Sequence, residues 1–352
     1  MPALSQPLPM PMSRRGFGRV LAGSMLAAST GFASRAAAAT ELKFMLDWRF
    51  EGPSALFLLA VDRGYFGDEG LFVTIEPGTG SRETAARIAA GGYDAGFGDV
   101  NSLIRFRDEN PAVDLKAVMM VYDRPPFAIV GRKSRGIGPD PRSLQGKKLG
   151  APAADGAFAQ WPVFRKVNGI DEAKIKLETI GFPVREPMLA SGELDAVFGY
   201  AHTVTLNLKA RGVPPDDVIT LLMADHGVDL YGNAVMVSPK LLAEKPQAVR
   251  GLLRAITRSV RDVVADPDAA VAAVLQRNQG ARPEIEAERL KMAVERYVMT
   301  PGVKASGFGA VEPGRWQTAL DQLAMTFPFK DKAKAGNAFV SAFLPAEAER
   351  AF

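Results

Sequence analysis

The chain has 352 residues, of which 47% are hydrophobic and 23% charged, a composition typical of globular proteins and a length that predicts about two domains. Four of its 43 basic residues and none of its 39 acidic residues lie in residues 1–39, so the rest of the chain is neutral. The sequence pI of about 9.2 is therefore no argument for a nucleic acid or an anionic membrane as partner. The absence of cysteine excludes disulfides and thiolate chemistry.

Residues 1–39 are predicted to be an export signal and not part of the fold. A twin-arginine pattern begins at Ser13, an apolar stretch follows over 20–33, and small residues offer cleavage near Ala38 or Ala39. The apolar stretch, at about 14 residues, is too short for a stable bilayer anchor. The alternative is an ordinary secretory signal with an accidental arginine pair, and either route takes the chain out of the cytoplasm.

Residues 41–124 are predicted to alternate strands and helices. The expected elements are a strand over 42–46, a helix over 53–61, a strand over 72–75, a helix over 82–90 capped by Ser81, a strand over 94–98, a helix over 101–108 and a strand over 115–122. The segment 123–126 then interrupts the extended pattern with two prolines, which indicates a connection between two parts of the fold.

Residues 125–231 repeat this alternation. The expected strands cover 127–130, 148–151, 175–180, 195–199 and 218–223, and the expected helices cover 158–168 and end at 187–190. Pro162 must lie in the first turn of its helix, or the helix must begin later, because proline disrupts a helix interior. Residues 224–231 form the predicted return connection to a strand over 232–238, and helices follow, including a long amphipathic one over 246–265.

One sequence unit occurs in both parts. Residues 88–98 and 189–199 are identical at six of eleven aligned positions. Each copy is predicted to be a helix end, a glycine stop and a short buried strand, because glycine adopts the left-handed conformation at low cost. Such strands predict a parallel α/β sheet covered on both faces. Chance recurrence of a common α/β unit is the alternative.

The repeated unit favours two related lobes. One lobe would consist of about 41–124 plus 232–352, and the other of about 125–231. Two connecting segments between lobes permit hinge closure. Because ligands bind beyond the carboxyl ends of strands in such sheets, we expect a site where the two copies end.

Polar residues follow both copies and are candidates for that site. Asp99 and Asn101 follow the first copy, and Tyr200 and His202 follow the second. Asp99 has an equally good structural interpretation as a helix cap, and a lone histidine is usually structural. Asp99 also argues for a ligand with hydrogen-bond donors and against an anion, unless a nearby arginine pairs with it.

Predicted helix starts and connections supply further candidates. Gly80 and Ser81 begin a helix whose amide groups could bind an anion or a carbonyl, or Ser81 could be a plain cap. Residues 155–158 begin a second helix, so Asp155 and Phe158 are added to the candidates. The set also contains Tyr122, at the first connection and therefore hinge or site, and Asn233, after the second.

The stretch Ala60-Val-Asp-Arg-Gly-Tyr-Phe-Gly-Asp-Glu-Gly-Leu71-Phe-Val73 resembles the signature of periplasmic substrate-binding proteins for nitrate, sulfonate, taurine and thiamine-pyrimidine precursors. The repeated Ala-x-Gly-x-x-Asp-Ala units and the segment from Pro246 are similar in kind and order, over about 41–325. The resemblance implies a two-lobe α/β fold of type II with two crossover segments. It also implies a periplasmic solute-binding component whose partner is an inner-membrane ABC permease with its ATPase.

Asp47-Trp48, after the first strand, resembles the pyrimidine-precursor branch of that family, in which a tryptophan at this place stacks on the ring. The chain departs from that branch at 49–52, where a stretch rich in asparagine and proline with a histidine would be expected, and at Phe72, which replaces an acidic residue. A fungal enzyme that makes the pyrimidine shares the fold, but its cysteine cluster is absent. The motifs therefore specify the family and not the ligand.

These observations predict a binding protein with no catalytic set, no metal and no cofactor, working as a monomer on a small ligand. The preferred ligand is a planar aromatic or heterocyclic molecule with polar groups, its ring held by Trp48, Phe158 and Tyr200 and its edge fixed by Asp99, Asn101 and His202. The alternatives are an alkanesulfonate, taurine or nitrate binder of the same family, and an exported enzyme acting on a small heterocycle.

Overall fold

Two five-stranded sheets organise residues 38–352, the part of the chain that the computed structural model describes. The strands are β1 (Thr40–Met45), β2 (Leu71–Glu76), β3 (Ala95–Asp99), β4 (Lys116–Met120), β5 (Phe127–Arg132), β6 (Lys148–Ala151), β7 (Lys176–Thr179), β8 (Ala196–Tyr200), β9 (Val218–Leu222) and β10 (Asn233–Val237). The first sheet has the order β2-β1-β3-β10-β4 and the second β7-β6-β8-β5-β9. The two orders correspond strand by strand, so the fold consists of two related lobes.

Each sheet is mixed, whereas the sequence predicted parallel sheets. β10 pairs antiparallel with β3 and β4, and β5 pairs antiparallel with β8 and β9. These two strands are the ones that enter directly from the other lobe, through 121–126 and 223–232. A strand that starts at the edge between the lobes must run away from it, opposite to neighbours that end there. The expected lobe boundaries near 124 and 231 lie within these connections and stay a prediction.

Helices flank the strands and occupy most of the chain after β10. They are α1 (Ala55–Asp62), α2 (Tyr65–Asp68), α3 (Thr84–Ala89), α4 (Val100–Glu109), α5 (Gly156–Ala159), α6 (Trp161–Val167), α7 (Phe182–Ser191), α8 (Ala201–Ala210), α9 (Pro239–Glu244), α10 (Pro246–Ala265), α11 (Pro267–Ala270), α12 (Ala272–Leu275), α13 (Pro283–Ala293), α14 (Pro301–Ser306), α15 (Pro313–Ala324), α16 (Lys332–Gly336) and α17 (Glu347–Arg350). The predicted helix over 246–265 is confirmed residue for residue. Pro162 lies in the first turn of α6, where its missing amide proton costs no hydrogen bond.

The repeated unit forms equivalent structures in the two lobes. α3 leads through Gly91 at φ +79° into β3, and α7 leads through Gly192 at φ +83° into β8. β3 and β8 are both the central strand of their sheet. The prediction of a helix end, a left-handed glycine and a buried strand is confirmed, and both strands end at the edge where the lobes meet.

The predicted export signal lies outside the described residues except for Ala38 and Ala39. Among residues 38–352, none of the helices combines the length and the apolar character that crossing a bilayer requires.

Candidate functional site

A cavity lies between the lobes, at the ends of the central strands. It contains about 560 Å³ of space free of protein atoms, part of it open to solvent. Both lobes contribute to its lining. Of the residues predicted from the sequence, those that line it are Asp47, Trp48, Gly80, Ser81, Tyr122, Asp155, Tyr200 and His202.

Tyr200, at the end of β8, makes hydrogen bonds across the cleft to the first lobe. Its hydroxyl lies 2.7 Å from Asn233 Oδ1 and 2.7 Å from Ser81 Oγ. Because a phenol has one proton and an amide oxygen can only accept, Tyr200 donates to Asn233 and the Ser81 hydroxyl donates to Tyr200. Asn233 Nδ2 donates in turn to Asp47 Oδ2 at 2.9 Å. Asn233 does not line the cavity but holds two residues that do.

Ser81 is a cleft residue and not the helix cap that the sequence predicted. It is the first residue of a short 3-10 turn, Ser81–Glu83, which has Gly80 at its N-cap position, and α3 begins only at Thr84. Its hydroxyl makes no capping hydrogen bond and points instead to Tyr200.

Asp99, Asn101 and Phe158, which were expected to touch the ligand, are not among the residues that line the cavity. Asp99 caps α4 by accepting from the amides of Asn101 and Ser102, and it also accepts from Gln160 Nε2 of the second lobe at 3.1 Å. The Asn101 side chain donates to the carbonyl of Tyr231 at 2.7 Å. The Phe158 ring packs against Phe198, with ring centroids 5.1 Å apart. These side chains join the lobes, fix a connection or fill the core.

The two lobes also approach each other closely at two glycines. A Cβ at Gly80, whose φ is +140°, would lie 2.6 Å from the carbonyl oxygen of Ala154 in the second lobe. A Cβ at Gly156 would lie 2.5 Å from Ser81 Oγ. The lobes therefore touch at these two points only because both positions lack a side chain.

Aromatic side chains form one wall and part of the floor of the cavity. Trp48 of the first lobe and Phe182 of the second are in contact across the cleft, with ring centroids 4.5 Å apart at an angle of 59°. Tyr122 lies edge-on to His202, with ring centroids 6.2 Å apart. Such surfaces suit a flat apolar face of a ligand.

Buried carboxyl groups form the polar part of the lining. Burial raises the pKa of Asp47 to about 7, and the nearby Glu51 adds to the shift while the hydrogen bond from Asn233 opposes it. Burial also raises the pKa of Glu51, against the opposing charge of Arg289. Burial raises the pKa of Asp155, although Arg185 lies 3.2 Å away.

His202 presents an uncharged imidazole to the cavity. It is 3% exposed, and its Nδ1 is buried without a hydrogen-bond partner. Burial, assisted by the charge of Arg289, lowers the pKa of His202 to about 3. The ring is therefore neutral at physiological pH and can both donate and accept a hydrogen bond.

Several lining residues were not predicted from the sequence. Glu51 follows β1, and Phe182 and Arg185 begin α7, of which only the end was predicted. Phe182 follows the end of β7 as Asp155 follows the end of β6, so its position after a strand end was a signal for a site residue.

A protein-family model described as NMT1/THI5 like matches residues 53–270 of the sequence. The riboflavin-binding protein RibY of Chloroflexus aurantiacus is 26% identical over 225 residues, which are 63% of this chain and 62% of that relative's length. The 4-amino-5-hydroxymethyl-2-methylpyrimidine phosphate synthase of Aspergillus parasiticus is 26% identical over 238 residues, 65% of this chain and 68% of that one. The formylaminopyrimidine-binding protein of Halalkalibacterium halodurans is 25% identical over 304 residues, 84% of this chain and 88% of that one.

Solved structures with the same fold include two bacterial binding proteins. The alkanesulfonate-binding protein SsuA from Xanthomonas axonopodis pv. citri, bound to MOPS, matches with a TM-score of 0.66 and 14% identity, covering 86% of this chain and 99% of its own. The nitrate-binding protein NrtA from Synechocystis PCC 6803 matches with a TM-score of 0.61 and 12% identity, covering 87% of each chain. These likenesses show the fold of periplasmic binding proteins, as the sequence predicted.

Replacing Gly80 with alanine is expected to keep the lobes apart, because the added Cβ would collide with the Ala154 carbonyl. Gly91→Ala is the matched control, since Gly91 also has a positive φ but no atom within 4 Å of an added Cβ. Gly91→Ala should lose about 1–2 kcal/mol of stability from left-handed backbone strain. Gly80→Ala should lose about 1–3 kcal/mol, because its φ of +140° lies in a region that L residues rarely adopt. Only Gly80→Ala should increase the radius of gyration measured by solution scattering, and equal radii in the two variants would contradict the steric argument.

Asp47 predicts a pH dependence with a defined sign. A ligand that donates a hydrogen bond to Asp47 should bind more tightly as the pH rises through about 7 and the carboxyl ionises, by at most about tenfold per pH unit. The free energy of unfolding depends on pH with the opposite sign. The raised pKa of Asp47 contributes stability that is fully present below its ordinary pKa of 3.8 and is lost as the pH rises to about 7.

Calorimetric titrations across this pH range test the dependence. Asp47→Asn should remove it, whereas Asp140→Asn, at an exposed carboxylate paired with Arg142, should retain it. A pH profile that is the same in wild type and Asp47→Asn would exclude Asp47 as the titrating group.

Proposed function

We propose, from the premise that this chain belongs to the NMT1/THI5-like family, that it is the periplasmic solute-binding component of an ABC importer. The observation that carries the proposal is the cavity between two related lobes, lined by residues of both. The relatives named as riboflavin-binding and formylaminopyrimidine-binding proteins support it. The twin-arginine pattern in residues 1–39 supports export, and an inner-membrane permease with its ATPase is the proposed partner.

The proposed ligand is a small planar heterocycle with hydrogen-bond donors. Trp48 and Phe182 provide aromatic surface from opposite lobes, and a flat ring could contact both. Asp47 and His202 provide hydrogen-bonding groups that differ in charge behaviour, because Asp47 ionises near physiological pH and His202 does not. Asp99, Asn101 and Phe158 are left out of this proposal because other contacts occupy them.

The charges of the cavity argue against an anionic ligand such as a sulfonate or nitrate. Asp47, Glu51 and Asp155 place three carboxyl groups in the lining. The buried guanidinium of the lining, that of Arg185, is already paired with Asp155 and with Glu186 at 2.7 Å. A second guanidinium of the lining, that of Arg49, is on the exposed side of the cavity, 5.3 Å from the centroid of the Trp48 ring. An anion in the buried part of the cavity would have to displace the pairs of Arg185 and approach carboxyl groups in a medium of low dielectric constant, which is unfavourable.

The proposed mechanism is closure of the lobes around the ligand. A ligand favours the closed form only through contacts that it makes better when the lobes are closed. Trp48 and Phe182 belong to different lobes and are in contact with each other, so a ligand ring that packs against the surface they form together gains its second contact only on closure. The permease would then recognise the closed outline.

An exported enzyme is the second candidate, because several relatives are named as pyrimidine phosphate synthases. Incubation of the protein with 4-amino-5-hydroxymethyl-2-methylpyrimidine, a formylaminopyrimidine and riboflavin, followed by mass spectrometry of the small molecules, separates the two. Binding without a product supports the carrier, and turnover supports the enzyme. Native mass spectrometry of the purified protein would identify a ligand that is retained during purification.

Trp48→Ala should weaken a ring ligand by roughly one to two orders of magnitude, because an aromatic contact and its buried area contribute about 1.5–3 kcal/mol. The measurement is the dissociation constant of the ligand identified above, with taurine as a comparison compound on which the substitution should have little effect.

Phe72→Ala is the matched control for that experiment, because Phe72 is 62% exposed on β2 and does not line the cavity. It should leave the affinity unchanged. A Trp48→Ala variant that binds the true ligand as well as wild type does would remove the stacking hypothesis, whereas a strong preference for taurine would favour the sulfonate alternative.

A further inference from the structure

A buried arginine behind the cavity joins the two lobes. Arg289 of α13 is 1% exposed and is not among the residues that line the cavity. Its Nη1 donates to the carbonyl oxygens of His202 and Thr203, at 3.1 and 3.2 Å. Its Nη2 donates to Asn207 Oδ1 at 3.0 Å. All three acceptors belong to α8, the helix that directly follows β8 of the second sheet.

The other contacts of Arg289 lie on the side of the first lobe. Its Nε donates to Glu286 Oε2 of the same helix at 2.9 Å, and its Nη1 lies 3.3 Å from Glu51 Oε2. Glu286 also accepts from the backbone amide of Gly52 at 2.6 Å. Since Glu51 and Gly52 follow β1 of the first sheet, α13 is tied to the first lobe, and the guanidinium of Arg289 reaches the second.

Two groups of the cavity depend on this arginine. Glu51 accepts from the indole Nε1 of Trp48 at 3.1 Å through one carboxyl oxygen and from Thr203 Oγ1 at 3.3 Å through the other. Arg289 balances the charge of the buried Glu51 carboxylate, which keeps the carboxylate in position to accept the hydrogen bond from the Trp48 indole. The same guanidinium holds the backbone of His202, whose imidazole lines the cavity.

We propose that Arg289 is a positioning residue that couples closure of the lobes to the placement of Trp48 and His202 around the ligand. The placement of Trp48 and His202 around a ligand rests on the proposed function, whereas the effect of Arg289 on the distance between the lobes does not. The planar guanidinium donates in several fixed directions at once, to two carbonyls, one amide and the carboxylate of Glu286, and it also forms an ion pair with Glu51. A lysine ammonium is a point charge with three donors and could reproduce only part of this set.

Distances between the lobes test the proposal without any ligand. The chain has no cysteine, so Phe72→Cys and Val184→Cys would introduce one spin label on each lobe, at side chains that are 62% and 44% exposed. Double electron–electron resonance should show a longer and broader distance distribution in Arg289→Met than in the labelled parent. Arg289→Lys should restore part of the parent distribution.

Arg277→Met is the matched control, because Arg277 pairs with Asp62 of α1 at 2.6 Å and both residues lie in the first lobe. It should lower the unfolding temperature without changing the distance between labels. A merely structural role for Arg289 would give the same result, so an unchanged distribution in folded Arg289→Met overturns the proposal.

Milder variants keep the test decisive if Arg289→Met does not fold. Asn207→Ala removes one acceptor of Arg289, and Thr203→Val removes the hydroxyl that donates to Glu51. Each should shift the distribution in the same direction by a smaller amount, and parent-like distances in both overturn the proposal. Failure to find any ligand would contradict the proposed function. It would not affect the distances between the labels or what they show about the contact between the lobes.

Discussion

The hydroxyl of Tyr200 is the point on which the site depends. Tyr200 ends the central strand of one lobe, and both of its partners, Asn233 and Ser81, belong to the other. Through Asn233 the same chain of hydrogen bonds reaches Asp47, which lines the cavity. Because buried polar groups need partners, the polar side of the cavity is complete only when the lobes touch. In the mechanism proposed above, closure and assembly of the site are therefore one event.

In the proposed mechanism, the buried carboxyl groups make closure of the lobes depend on the chemistry of the ligand. An unpaired buried carboxylate is costly, so burial raises the pKa of Asp47 and favours its neutral form. A ligand that donates to Asp47 reverses this cost, whereas an anion increases it. His202 contributes a neutral hydrogen-bonding group whose charge does not change in the same pH range. Specificity then follows from desolvation as much as from shape.

Most of the fold could be predicted from local signals, apart from the antiparallel direction of β5 and β10, and the site could be predicted only in part. Helix periodicity and the glycines at 91 and 192 act over a few residues, so the repeated unit and its strands were predicted correctly. Asp99 was placed correctly at a strand end, but whether such a residue faces a ligand or Gln160 depends on how the lobes meet. Phe182 follows a strand end, whereas Arg289 has no such signal, because its partners in α8 and after β1 lie far away in the sequence.

Interactions on two sides of the cavity set how readily the lobes close. Tyr200 connects the lobes beside Asp47, and Arg289 connects them behind His202. A neutral hydrogen bond contributes about 0.5–1.5 kcal/mol and a charged one about 1.5–3 kcal/mol. Each contact thus changes the ratio of closed to open molecules by about twofold to more than a hundredfold. Since observed affinity scales with the closed population, residues that never touch the ligand can set its dissociation constant.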